Sequence, residues 1–84
     1  KLPKLLNYIC VYDNKLTDLP KLPDNIKKLM CSNNKLSYLP RLPSSLTLLI
    51  CINNQLIQLP KLPNSLNLTY CWNNKFKYNY IFEF

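Results

Sequence analysis

One triplet recurs along this chain at a fixed interval. Lys-Leu-Pro or Arg-Leu-Pro begins at Lys1, Lys21, Arg41 and Lys61, a spacing of 20 residues each time. Other columns keep the same register. Asn14, Asn34, Asn54 and Asn74 form one, and Leu16, Leu36, Leu56 and Phe76 another. Leu19, Leu39 and Leu59 each precede a proline, and Val11, Cys31, Cys51 and Cys71 share a fourth column. A period of this length describes units that cannot bury their apolar faces alone and do so by stacking on their neighbours. The units run 1–20, 21–40, 41–60 and 61–80, with 81–84 as a C-terminal tail or cap, in a single domain spanning 1–84. Stacking also answers a problem of size. A compact globule of 84 residues buries too little surface to be comfortably stable, whereas stacked rungs share one continuous core.

Two kinds of backbone alternate within the unit. The segment from Leu29 to Ser32 is short and alternates inward and outward, as a strand does. The Leu-Pro-x-Leu-Pro stretch cannot be helical, because proline lacks an N–H and pushes the residue before it towards extended geometry. Glycine and alanine are both absent. Any turn that needs φ > 0 therefore falls to asparagine or is avoided.

The unit reads K/R-L-P-x-x-L/I-x-x-L/I-x-V/C-x-x-N-x-L-x-x-L-P. It resembles the leucine-rich repeat signature L-x-x-L-x-L-x-x-N/C-x-L. Its 20-residue length and LPxLP segment look like the short repeats of bacterial type III effectors. Cysteine before Asn-Asn, with abundant lysine, is similar to repeats of giant viruses that infect amoebae. The resemblance covers nearly the whole chain. It implies a leucine-rich repeat solenoid with a parallel concave β-sheet of about four strands, an extended or 3-10 convex side, and few or no α-helices.

Most columns read as architecture. An asparagine buried where the chain leaves the strand must hydrogen-bond. Backbone groups of its own and the adjacent rung can satisfy both ends of its amide, which makes a structural ladder. Cys31, Cys51 and Cys71 stand in the place of Val11, so they point inward and pack as small hydrophobes. A straight column of thiols without any histidine does not make a tetrahedral zinc site, and no metal or cofactor is expected. Cys10 lies one residue out of that register and faces outward, as the one candidate for a reactive thiol. Buried thiols fit a reducing compartment, which places the protein inside a cell, in host cytoplasm or a virion. The sequon Asn67-Leu68-Thr69 has meaning only in a secreted chain.

The outward strand positions do not read as architecture. They are Tyr8, Cys10 and Tyr12; Lys28, Met30 and Ser32; Leu48, Ile50 and Ile52; and Leu68, Tyr70 and Trp72. A half-exposed sheet face is ordinarily polar, and most of these residues are apolar or aromatic. Together they predict a contiguous patch larger than is usual for a quiet monomer. Tyr and Trp are also the residues most often found as binding hot spots. Tyr12, Met30, Ile50, Ile52, Tyr70 and Trp72 are the candidate partner-binding residues.

The chain carries a net charge of +7. Lysine, asparagine and isoleucine are encoded by A/T-rich codons, so an A+T-rich genome is the simplest source of the lysines. Lys1, Lys21, Arg41 and Lys61 stack on one edge; Lys15, Lys35 and Lys75 stack on another, interrupted by Gln55. The first of these rows lies on a different face from the aromatics, which makes nucleic acid a weaker reading than a protein partner. The sequence has no histidine, and its four acids do not converge: Asp13 and Asp18 lie in the first unit, Asp24 in the second and Glu83 in the tail. No enzyme chemistry is expected. The leading expectation is a non-catalytic protein-interaction module using the concave face. One alternative is a structural part of a larger, viral assembly. Another is the recognition part of an effector enzyme whose catalytic domain lies elsewhere. No apolar run approaches the roughly 20 residues of a membrane span.

The last unit decays. Thr69 replaces a leucine, and Tyr80 a proline. Phe76, Tyr78, Tyr80, Phe82 and Phe84 are expected to close the open end as an aromatic cap or to dock on another chain. The first unit starts inside the pattern at Lys1. This predicts further repeats, another domain or a neighbouring subunit on that side, the chain being a fragment of a longer one.

Overall fold

The computed structural model of the chain describes residues 7–76. The expected aromatic cap from Tyr78 onward, and the start at Lys1, lie outside the described residues. Four strands, β1 (Tyr8–Cys10), β2 (Lys28–Met30), β3 (Leu48–Ile50) and β4 (Leu68–Tyr70), form one sheet in the order β1-β2-β3-β4. Every pairing is parallel. Ile9 lies beside Leu29, Leu29 beside Leu49, and Leu49 beside Thr69, so the register repeats the 20-residue period of the sequence. The described residues contain no helix.

Each strand is three residues long, Lys28–Met30 in the second unit, and so ends before the Cys31 and Ser32 that the sequence reading included. Its pairing does not stop at Met30. The Cys31 N–H donates to the Ile50 carbonyl at 2.8 Å and the Asn33 N–H to the Ile52 carbonyl at 2.9 Å. The chain then turns through the left-handed region. Asn33, Asn53 and Asn73 take φ of 59°, 57° and 57°, and Asp13 takes 56° in the first unit, where Lys15 at 55° is there too. Without glycine, these turns fall to the side chains that tolerate left-handed backbone best. That is why each Asn-Asn pair begins with asparagine even though only the second asparagine points inward.

That second asparagine builds the ladder. The Asn34 Oδ1 accepts from the N–H groups of Asn14 at 3.0 Å and Leu16 at 3.1 Å, while its Nδ2 donates to the carbonyls of Val11 at 2.7 Å and Cys31 at 3.0 Å. Asn54 and Asn74 repeat the arrangement one and two rungs on, accepting from Leu36 N–H and Leu56 N–H. The expectation of a buried amide holds for Asn34 and Asn54; Asn74 is half-buried, and Asn14 is exposed. Outside it, one exposed bond runs between the neighbouring asparagines, Asn53 Nδ2 donating to Asn33 Oδ1 at 2.7 Å.

Ile26, Leu29, Leu36, Leu46, Leu49 and Leu56 are fully enclosed, and burying such a side chain contributes about 1.5–3 kcal/mol. The Leu-Pro-x-Leu-Pro stretches among the described residues run without helix or strand, as their prolines dictate. Each leads into a turn closed from the residue three positions back, as in Leu46 N–H to Pro43 carbonyl at 3.1 Å. Phe76 packs against the same core from the last described position.

One position breaks the pattern. Thr69 lies beside Leu49 in the inward column, and its buried hydroxyl has no hydrogen-bond partner among the described residues. A buried hydroxyl without a partner costs roughly 1–3 kcal/mol. Thr69→Val keeps the shape and removes the hydroxyl, so it should raise stability by about 1 kcal/mol, seen as a melting temperature higher by roughly 4–8 °C. A lower melting temperature would show that Thr69 has a partner in solution.

Candidate interaction surface

The side chains that alternate with the core residues form the outer face of the sheet. Cys10, Met30, Ile50 and Tyr70 lie side by side across the four strands. One residue pair further along, backbone hydrogen bonds connect the next row. The Asp13 N–H donates to the Ser32 carbonyl, the Asn33 N–H to the Ile52 carbonyl and the Asn53 N–H to the Trp72 carbonyl. Those bonds bring Tyr12, Ser32, Ile52 and Trp72 into successive rungs. The sequence-expected residues Tyr12, Met30, Ile50, Ile52, Tyr70 and Trp72 thus lie on one face.

Their exposure is uneven. Tyr12, Tyr70 and Trp72 are exposed, with Trp72 at 58 %, whereas Met30, Ile50 and Ile52 are half-buried. An interior rung has a neighbour on both sides at about 4.8 Å, so its outward side chains shelter one another. Ser32 is the clearest departure, only 7 % exposed although it was expected to face outward. Its small side chain lies below its neighbours, and its Oγ accepts from the Ile52 N–H at 3.1 Å. Tyr70 and Trp72 meet edge to face, with ring centroids 5.6 Å apart and planes at 70°. This is a favoured aromatic geometry that holds both rings in place. At the other end of the face, burial and then the Cys10 sulfur beside it push the Tyr12 phenol above its ordinary pKa.

Two exposed apolar side chains lie off this face. Tyr38 is anchored one rung back, its hydroxyl donating to Asp18 Oδ1 at 2.9 Å, and that bond followed by the Asp18 charge raises its pKa. Ile57, at 52 % exposure, shows that single large apolar residues also occur elsewhere on the surface.

The four cysteines are free thiols, divided as their register predicts: Cys10 is exposed, while Cys31, Cys51 and Cys71 are buried. Burial pushes the Cys31 thiol up to about 12. The Cys51 thiol is also raised, first by a hydrogen bond to the Cys71 sulfur and then by burial. A thiol reagent should therefore label one cysteine in the folded chain and four after denaturation. Two or more labelled cysteines under native conditions would contradict this inward packing. The Cys31 shift also gives stability a sign with pH. Between the ordinary value of 9.0 and about 12, the folded chain keeps a proton that the unfolded chain has lost. Stability is thus fully present below pH 9 and falls as pH rises, by up to about 1.4 kcal/mol per pH unit. Cys31→Val, which installs the residue that Val11 already provides in the first unit, should flatten that alkaline slope in urea melts. An unchanged slope would assign it to other groups.

Among the described residues, no three cysteine or acidic side chains converge as a metal site would require. No helix among them is long and apolar enough to cross a membrane. Comparison of the chain with protein-family models, curated proteins and solved structures gives no match.

Proposed function

We propose that the chain is a leucine-rich repeat solenoid of short LPxLP-type units, acting as a non-catalytic protein-interaction module that binds a partner through its concave sheet face. The fold reading is supported by a strand register that advances by the sequence period, and by an asparagine ladder in every interior rung. The functional reading is carried by one observation: the exposed, edge-to-face Tyr70–Trp72 pair at the end of an apolar row that runs across the whole sheet. Rigid aromatic rings lose little freedom on binding and supply large contact areas. The three buried free thiols support an intracellular, reducing setting as part of this reading. The described acids Asp13, Asp18 and Asp24 belong to the first two units and none occupies an outward strand position, which favours binding over catalysis.

The test compares proteins captured by the wild-type chain and by a Trp72→Ser, Ile50→Ser double variant, identified by mass spectrometry. Hot-spot side chains typically contribute 2 kcal/mol or more, so the double variant should lose its specific partner by at least about 30-fold. Undiminished capture by a double variant with native circular dichroism would sink the proposal. Light scattering on the chain separates a module, which elutes as a monomer, from an assembly component, which forms an ordered oligomer.

A further inference from the structure

A groove of about 420 Å³ opens between the third and fourth units, and no strand residue lines it. Its walls come from the proline-flanked stretches and the turns that follow them. Arg41 and Lys61 bring two cations, while Ser44, Asn64 and Ser65 bring polar groups. Leu42, Leu62 and Pro63 supply apolar lining, and these three are buried or half-buried.

The charge pattern along the columns singles this groove out. In the second unit Lys21 is followed three residues later by a carboxylate, Asp24. In the third and fourth units the same position holds Ser44 and Asn64, so the acid is replaced by a hydroxyl and an amide. No aspartate or glutamate occurs anywhere from residue 25 to 76, and Asp24 does not line the groove. Asp24 lies one unit away, its carbonyl accepting from the Ser45 hydroxyl at 2.9 Å, and the lining of the groove itself holds two cations and no acid. The Ser65 hydroxyl donates to the Leu46 carbonyl at 2.6 Å, which leaves Ser44 and Asn64 as the neutral side-chain donors of the groove. A guanidinium and an ammonium lining one groove, with hydroxyl and amide donors, are a set that matches a tetrahedral oxyanion. The volume lies within the roughly 300–1,000 Å³ of small-molecule sites, with room beside the anion for a carbon frame on the leucines and proline.

We infer that this groove binds an organic phosphate monoester, its phosphate held by Arg41 and Lys61 with Ser44 and Asn64, and its carbon frame resting on Leu42, Leu62 and Pro63. The site is separate from the sheet face, and neither reading depends on the other.

The experiment is a titration of the ¹⁵N-labelled full chain with phenyl phosphate and, in parallel, with inorganic phosphate, followed by amide chemical shifts. Phenyl phosphate should give saturable shifts confined to residues 41–46 and 60–66, and inorganic phosphate should move the same amides with weaker affinity. Arg41→Gln should weaken phenyl phosphate roughly tenfold, as expected for loss of a charge-assisted contact. Ser44→Asp, which restores the carboxylate that the second unit carries as Asp24, should weaken it at least as much. Lys75→Gln removes the same charge as Arg41→Gln from a residue outside the groove and should change nothing. The site would be overturned by shifts spread along Lys15, Lys35 and Lys75, by equal weakening in Lys75→Gln, or by no saturable shift at all. Equal affinity for the two ligands would overturn the apolar half of the assignment. Should Arg41→Gln fail to fold, the map of shifts on the wild-type chain decides between a local site and a response to overall charge.

Discussion

Asn54→Ala is expected to destabilise the chain by about 3 kcal/mol, one of the two largest single-residue effects foreseen here. Asn54 is buried, and its amide serves two rungs at once. Its Oδ1 accepts from the Leu36 N–H at 3.1 Å; its Nδ2 donates to the carbonyls of Cys31 at 3.0 Å and Cys51 at 3.2 Å. Alanine supplies none of these bonds and leaves buried backbone groups that water cannot reach. A buried polar group left unsatisfied costs roughly 1–3 kcal/mol, so two or three of them set the size of the effect. A chain of 84 residues has roughly 4–13 kcal/mol in total to lose. The melting temperature should fall by roughly 12–24 °C. Asn14→Ala provides the control, since Asn14 is exposed and should cost under about 1 kcal/mol. Equal losses at the two positions, measured by urea denaturation, would show that the ladder is not what stabilises the interior rungs.

Leu49→Ala is expected to cost about 3–4 kcal/mol. Leu49 has 0 % exposure and lies between Leu29 and Thr69 in the inward row of the sheet. Its loss removes apolar burial and opens a cavity, and the rungs on either side cannot close it without breaking their own hydrogen bonds to the β3 backbone. Ile57→Ala deletes a side chain of the same size at 52 % exposure and should cost under about 1 kcal/mol. The contrast separates burial from hydrophobicity. Comparable urea midpoints for the two variants would mean that Leu49 is not part of a continuous core.

How far the sequence alone reaches differs from residue to residue. The place of each strand, the inward column of Ile9, Leu29 and Leu49, and the outward position of Cys10 follow from period and alternation alone. The ladder also follows, because a recurring asparagine at a strand exit has few other ways to satisfy its amide. The absence of glycine pointed to asparagine at the left-handed turns, and Asn33, Asn53 and Asn73 take them. The groove went unseen as a site, although its signal was present in the change from Asp24 to Ser44 and Asn64. Arg41 and Lys61 read only as an edge row until the turns beside them were placed.

The sequence by itself determined which side of the sheet each residue takes, because alternation along a strand and a constant 20-residue step leave no freedom in that choice. Only the tertiary structure decided how much water reaches each residue. Ser32 and Trp72 share a column, yet one is 7 % exposed and the other 58 %. The difference is set by the size of the neighbours one rung away, which shield a short side chain in the interior and leave a long one open near the edge. The Thr69 hydroxyl, without a partner among the described residues, was likewise decided there, because the strand residue paired beside it is the apolar Leu49.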